Sequence, residues 1–128
     1  MKKRFTLMMM VMCFLMSIPL KMMAETVTVH FIDNNGWTKY AAYVYDCTKT
    51  TVGSEWVTEK WPGQEAVATD ITYVNNNKVV TWTIELGSCS LANARIIFNN
   101  GSGGQGNQYP GPNNGGFEVA NNQYYNNI

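Results

Sequence analysis

Within the run from Glu25 to Ile32, polar and apolar side chains alternate from Thr26 to Phe31. Val27, Val29 and Phe31 fall on one face of an extended chain, and Thr26, Thr28 and His30 on the other. A period of two is the mark of a strand with one buried face. Asp33-Asn-Asn-Gly36 follows, and an Asn-Gly step between two such runs predicts a hairpin whose second strand is Trp37 to Asp46. In that strand Tyr43 and Tyr45 point one way, while Tyr40, Ala42 and Val44 point the other. Cys47 to Lys60 loses the alternation and reads as a long loop, closed by Trp61-Pro-Gly63, where Pro62 restricts the backbone of Trp61. Ala66 to Val74 is a moderate strand ended by three asparagines. Lys78 to Leu86 is the clearest core strand, with Val80, Trp82, Ile84 and Leu86 inward and Thr81, Thr83 and Glu85 outward. Ala94 to Asn99 is another strand, Asn100 to Gly116 a Gly/Asn/Pro-rich loop, and Gly116–Ala120 and Asn122–Asn126 weak final strands. No run has helical periodicity. Six or seven short strands with polar turns predict an all-β fold, a single small antiparallel β-sandwich of immunoglobulin-like type.

The first 24 residues obey a different rule. Met1 to Arg4 is basic, Phe5 to Leu20 is almost wholly apolar, and Ala24 offers a small residue for cleavage. That is the layout of a secretory signal peptide, and an apolar run of roughly 16 residues is short for a membrane span. The expected organisation is a leader over 1–24 and one domain over 25–128, secreted to the periplasm or the cell exterior. Removing the leader changes the composition. All eight methionines leave with it, and Glu25 to Ile128 keeps five basic residues against nine carboxylates, a net charge of −4. An acidic domain without a basic stripe excludes nucleic acid as the expected partner. Cys47 and Cys89 remain, and one disulfide or two free thiols are both open.

The chemistry of catalysis is thin. His30 stands alone among strand threonines, and no Gly-x-Ser-x-Gly, Cys/His cluster or calcium-loop spacing occurs. Gly101-Ser-Gly-Gly104 leads into no helix, so it is no phosphate loop. No enzymatic role, cofactor or metal is expected. Aromatic rings outside the expected core are plentiful: Tyr43, Tyr45 and Trp61, with Trp37 and Trp56 ambiguous. Such rings bring large contact area at low entropic cost. A flat pair of phenol rings suits the CH-rich face of a sugar, and Asn- and Gln-rich loops suit its hydroxyls. The alternative for Tyr43 and Tyr45 is a pair packed under a loop.

Val29-His-Phe-Ile-Asp-Asn-Asn-Gly-Trp37, Tyr43-Val-Tyr-Asp46, Trp61-Pro-Gly63 and Ile96-Ile-Phe-Asn-Asn-Gly101, in this order, resemble the family 26 carbohydrate-binding modules, starch-binding domains related to family 25. The resemblance covers nearly all of residues 26 to 126. It implies a noncatalytic β-sandwich that binds starch, amylose or malto-oligosaccharide. It also implies a site of two tyrosines spaced i, i+2 and one tryptophan: Tyr43, Tyr45 and Trp61, with Trp56 as the alternative third ring. Gln105 or Gln108 falls in the family's glutamine region, and Lys60 is a further polar candidate. Modules of this family usually hang on a catalytic domain, and the expectation here is a monomer that is either a freestanding binding protein or works beside a secreted amylase. The competing readings are a module for another polysaccharide and a secreted structural or adhesion protein.

Overall fold

The computed structural model describes residues 25–126, so the expected leader over 1–24 lies outside the described residues. Nine strands build two sheets: β1 Glu25–Asp33, β2 Ala41–Asp46, β3 Gln64–Glu65, β4 Ile71–Val74, β5 Asn77–Gly87, β6 Ala94–Asn99, β7 Gln108–Tyr109, β8 Phe117–Glu118 and β9 Gln123–Asn126. One sheet runs β4-β5-β1-β9. The other runs β3-β2-β6-β7, with β8 beside β6. All described pairings are antiparallel except β1 with β9. The only described helical pieces are 3-10 turns at Ala68–Asp70 and Leu91–Asn93.

The period-two reading of β1 and β5 holds residue by residue. Val27, Val29 and Phe31 are buried opposite Ile84, Trp82 and Val80, while Thr28 and His30 face outward beside Thr83 and Thr81. Phe31 and Phe98 bring the sheets together, their rings stacked 4.7 Å apart, with Trp82 and Tyr125 packed around Phe98. Burying such rings is what stabilises a domain of this size.

The first hairpin is not formed. β1 and β2 lie in different sheets, and residues 37–40 belong to no strand. The cause is Asp33, whose buried carboxylate accepts from the backbone N–H of Asn35 and Trp37 and from the Tyr40 hydroxyl. These bonds turn the chain across the sandwich instead of back along β1. Trp37 and Tyr40 consequently join the core, 6% and 4% exposed. The tight hairpin lies between β4 and β5, where Asn75 and Asn76 both take positive φ (49° and 67°). That is the two-residue turn whose twist suits paired strands.

The expected strand over 66–74 is broken as well. Asp70 accepts from the Val67 N–H at 2.8 Å and closes a 3-10 turn, so pairing with β5 begins only at Ile71. The loop after β6 is more ordered than its composition suggests. Asn100 and Asn107 bond through both backbone and side chains, and Gln108–Tyr109 pairs with β6. Cys47 and Cys89 are free thiols, the first exposed and the second buried.

Candidate functional site

Strand β2 positions two of the three expected rings. Ala42 and Val44 are fully buried, which leaves Tyr43 and Tyr45 on the outer face of the second sheet, half-exposed beside Ile97 and Arg95 of β6. Their rings stack at 5.5 Å with 26° between planes. Trp61 joins them: its indole lies 5.3 Å from the Tyr43 ring at 58°. Three contiguous aromatic surfaces of two orientations form a bent wall open to solvent. Each of the three rings is partly exposed, with Gly116 and Trp56 bordering the tyrosines.

Close backbone packing holds Trp61 in place. The peptide Trp61–Pro62 is cis, and Gly63 N–H donates to the Lys60 carbonyl at 2.8 Å. Gly63 has φ +97°, and a Cβ there would stand 2.3 Å from the Ala42 carbonyl oxygen. Only glycine lets this turn lie flat on β2. Asn99, wholly buried at the end of β6, donates to the Pro62 carbonyl at 2.9 Å and accepts from Gly101 N–H. One side chain thereby fastens the tryptophan turn to the glycine-rich loop. That loop returns to the indole, since a Cβ on Gly103 would lie 3.8 Å from Trp61.

The other expected residues divide. Trp56 is 42% exposed and bridges Tyr45 through the backbone. It borders the tyrosines without a ring stack. Tyr43 holds its proton above the ordinary phenol range, mainly through burial, then through the nearby Glu55 carboxylate, against the contact with Trp56. The Tyr45 hydroxyl accepts from Gly116 N–H at 2.9 Å, which fixes the ring. Gln108 lies by the loop under Trp61, but its amide is committed: the oxygen accepts from Gly104 N–H and the nitrogen donates to the Pro110 carbonyl. Gln105 is exposed and rests against Gly111. Lys60 is exposed on the rim of an open groove of about 1100 Å³ that passes from Trp61 along Gln64 to Thr83 and Glu85. Among the described residues no group of His, Cys, Asp and Glu could hold a metal ion.

Sequence reasoning singled out the Trp61-Pro-Gly63 turn but missed Asn99 and Gly116 as residues that place the rings. Neither carries a local signal, because their partners are distant in the chain.

A two-sheet β-sandwich with an aromatic wall on one face defines a class of binding modules rather than a particular ligand. The comparisons narrow it. The sequence profile of starch-binding module 26 matches residues 29–114, and the chain belongs to that family. Two solved structures share the fold. One is the family 26 module of a Bacillus halodurans amylase in complex with maltose, 24% identical, with a TM-score of 0.51, covering 80% of this chain and 92% of that one. The other is a structure of the same Bacillus halodurans module, also 24% identical with a TM-score of 0.51, covering 83% and 91%.

Proposed function

We propose that this chain is a noncatalytic module that binds α-1,4-glucan on the wall formed by Tyr43, Tyr45 and Trp61. The observation that carries the reading is the unbroken ring contact from Tyr45 through Tyr43 to Trp61, at 5.5 and 5.3 Å, on an open face. A flat surface would suit a straight, flat polymer. Here the indole is tilted 58° from its neighbour, so the wall bends. An α-linked glucan curves, and successive pyranose rings can lie against successive facets. Each pyranose offers CH groups to a ring face, and burying them is favourable at about 25 cal/mol per Å².

Hydroxyls at the rim meet Lys60 and Gln105, while Gln108 holds the loop under Trp61 through its bonds to Gly104 and Pro110. Trp56 borders the tyrosines and takes no stacking role. Maltose is the ligand named for the Bacillus halodurans module, and starch, amylose and malto-oligosaccharides are the corresponding ligands here. The reading extends to a monomer, secreted after cleavage near Ala24 to the periplasm or cell exterior, that holds starch close to a secreted amylase.

Isothermal calorimetry with maltoheptaose tests the site. The wild type titrates, whereas Trp61→Ala and Tyr45→Ala each lose about 1.5–3 kcal/mol, a tenfold to hundredfold weakening. Unchanged affinity in both variants refutes the wall.

A further inference from the structure

The outer face of the other sheet carries an aromatic pair of its own. His30 on β1 and Tyr124 on β9 are register partners, and their rings stack at 4.3 Å with only 17° between planes. This stack is closer and flatter than that of Tyr43 and Tyr45. Tyr124 is 58% exposed, so it fills no core; its neighbour Tyr125 is the residue that anchors β9 inward. On the opposite side of His30, Thr81 of β5 is the register partner, and its Oγ1 shares a hydrogen bond of 2.8 Å with Nδ1 of the imidazole. Tyr124, His30 and Thr81 thus form one row across three strands, about 10 Å from end to end at two strand spacings. Partial burial lowers the imidazole's proton affinity, which favours its uncharged form.

Two observations say what suits this row. The first is its chemistry. Along the strands Thr28 and Thr83 border it on one side and Ile32 and Val79 on the other, so no charged side chain stands next to it on that face of β1 or β5. That complements a neutral polyol with one apolar face. The second is continuity. The groove that leaves Trp61 reaches β5 at Thr83, Glu85 and Gly87. Thr81 is the next outward residue of β5, about 7 Å further at the strand rise. A polymer that leaves the first wall along this groove meets β5 at Thr83, two residues from Thr81.

We propose that Tyr124, stacked on His30 and backed by Thr81, is a second carbohydrate-binding site that takes a pyranose ring of the same α-glucan. The ligand class rests on the reading under Proposed function. The site itself rests on the geometry of the far sheet. One glucan chain, or two neighbouring chains, then engages both faces of the sandwich. Simultaneous engagement raises retention on polymer well above the affinity of either site for a short oligosaccharide.

His30 is the chain's one histidine, which makes its imidazole protons a private reporter of the second site. The test is a proton NMR titration of the full domain with maltotriose, in the wild type and in Trp61→Ala. In Trp61→Ala the His30 resonances still move and saturate, and adding Tyr124→Ala weakens that titration at least tenfold. Thr81→Val, which keeps the strand and deletes the hydroxyl, weakens it several-fold.

If calorimetry detects maltotriose on the wild type while the His30 resonances stay still, the second site is overturned and the first stands. If neither protein nor method detects maltotriose, the α-glucan reading fails, and the second site fails as assigned. Equal movement with cellotriose overturns the α-glucan assignment. A His30 shift on concentrating the protein without sugar marks contact between copies of the chain and likewise overturns the proposal.

Discussion

Replacing Gly63 by alanine perturbs the binding wall without touching any of its rings. A Cβ at this position would meet the Ala42 carbonyl oxygen at 2.3 Å and the Tyr43 Cα at 2.7 Å, both backbone atoms that no side-chain rotation can move. The residue also has φ +97°, a conformation that costs a non-glycine residue about 1–3 kcal/mol. Two other glycines separate these effects. Gly101 has φ +93° with open space around it, and Gly115 has open space without a positive φ. Gly115→Ala is expected within about 0.5 kcal/mol of wild type. Gly101→Ala should cost about 1–2 kcal/mol from the backbone alone. Gly63→Ala adds the overlap and should exceed about 3 kcal/mol, a fall in Tm of about 12–24 °C for a domain near 100 residues. Because the overlap is relieved by lifting the turn off β2, Gly63→Ala protein that remains folded should also lose maltoheptaose affinity about tenfold or more. Thermal unfolding of the three variants, followed by calorimetry below the transition, checks both parts. A Gly63→Ala protein no less stable than Gly101→Ala, with intact affinity, would refute close packing as the device that places Trp61.

Three further outcomes follow from individual groups. Tyr45→Phe keeps the stacked ring and deletes the acceptor of Gly116 N–H, so denaturant titration should register a loss of about 1 kcal/mol with little change in sugar affinity. Tyr40 has its proton affinity raised by burial first, then by its hydrogen bond to Asp33 and the charge there, and Tyr43 and Tyr125 are raised mainly by burial. Such groups contribute stability that is whole below the unfolded pKa near 10 and is lost as pH rises from there toward the folded values. Unfolding free energy measured between pH 8 and 12 should therefore decline from about pH 10, less steeply in Tyr40→Phe; a flat profile refutes this. Burial, followed by the Asp46 charge, pushes the Cys89 thiol up to about 11, whereas Cys47 is exposed. Timed alkylation with residue mapping should label Cys47 well before Cys89, and equal rates contradict the assignment.

The strands were legible wherever a local period of two decided the matter. β1, β2 and β5 could be read with their inward and outward faces, because alternation is a property of neighbouring residues. The crossing from β1 to β2 was not, and the reason is physical. Asn35-Gly36 is a strong hairpin signal by itself, but the Asp33 carboxylate gathers Asn35, Trp37 and Tyr40 and redirects the chain. Nothing in the dipeptide reports that competition. The true tight turn, Asn75-Asn76, has weaker chemistry for a hairpin and succeeds because Ile71–Val74 and Asn77–Val80 pair on either side.

The rings of the candidate site were legible for a similar reason. Tyr43 and Tyr45 follow from alternation, and Trp61 from its place before Pro62 and Gly63. The supports were not. Asn99 lies 37 residues from Pro62, and Gly116 lies 71 from Tyr45, so only the folded chain brings them together. The second aromatic pair shows the same limit. His30 looked like an isolated surface histidine until β9 folded parallel to β1 and placed Tyr124 against it.

The central claim is that an open, bent aromatic wall holds α-1,4-glucan. Native gel electrophoresis of the domain with soluble starch, amylose or a soluble β-1,4-glucan cast in the gel tests it most directly. The account predicts retardation by starch and amylose, none by the β-linked polymer, and a clear loss of retardation in Trp61→Ala. Equal mobility in every gel, or retardation that Trp61→Ala leaves untouched, would contradict it.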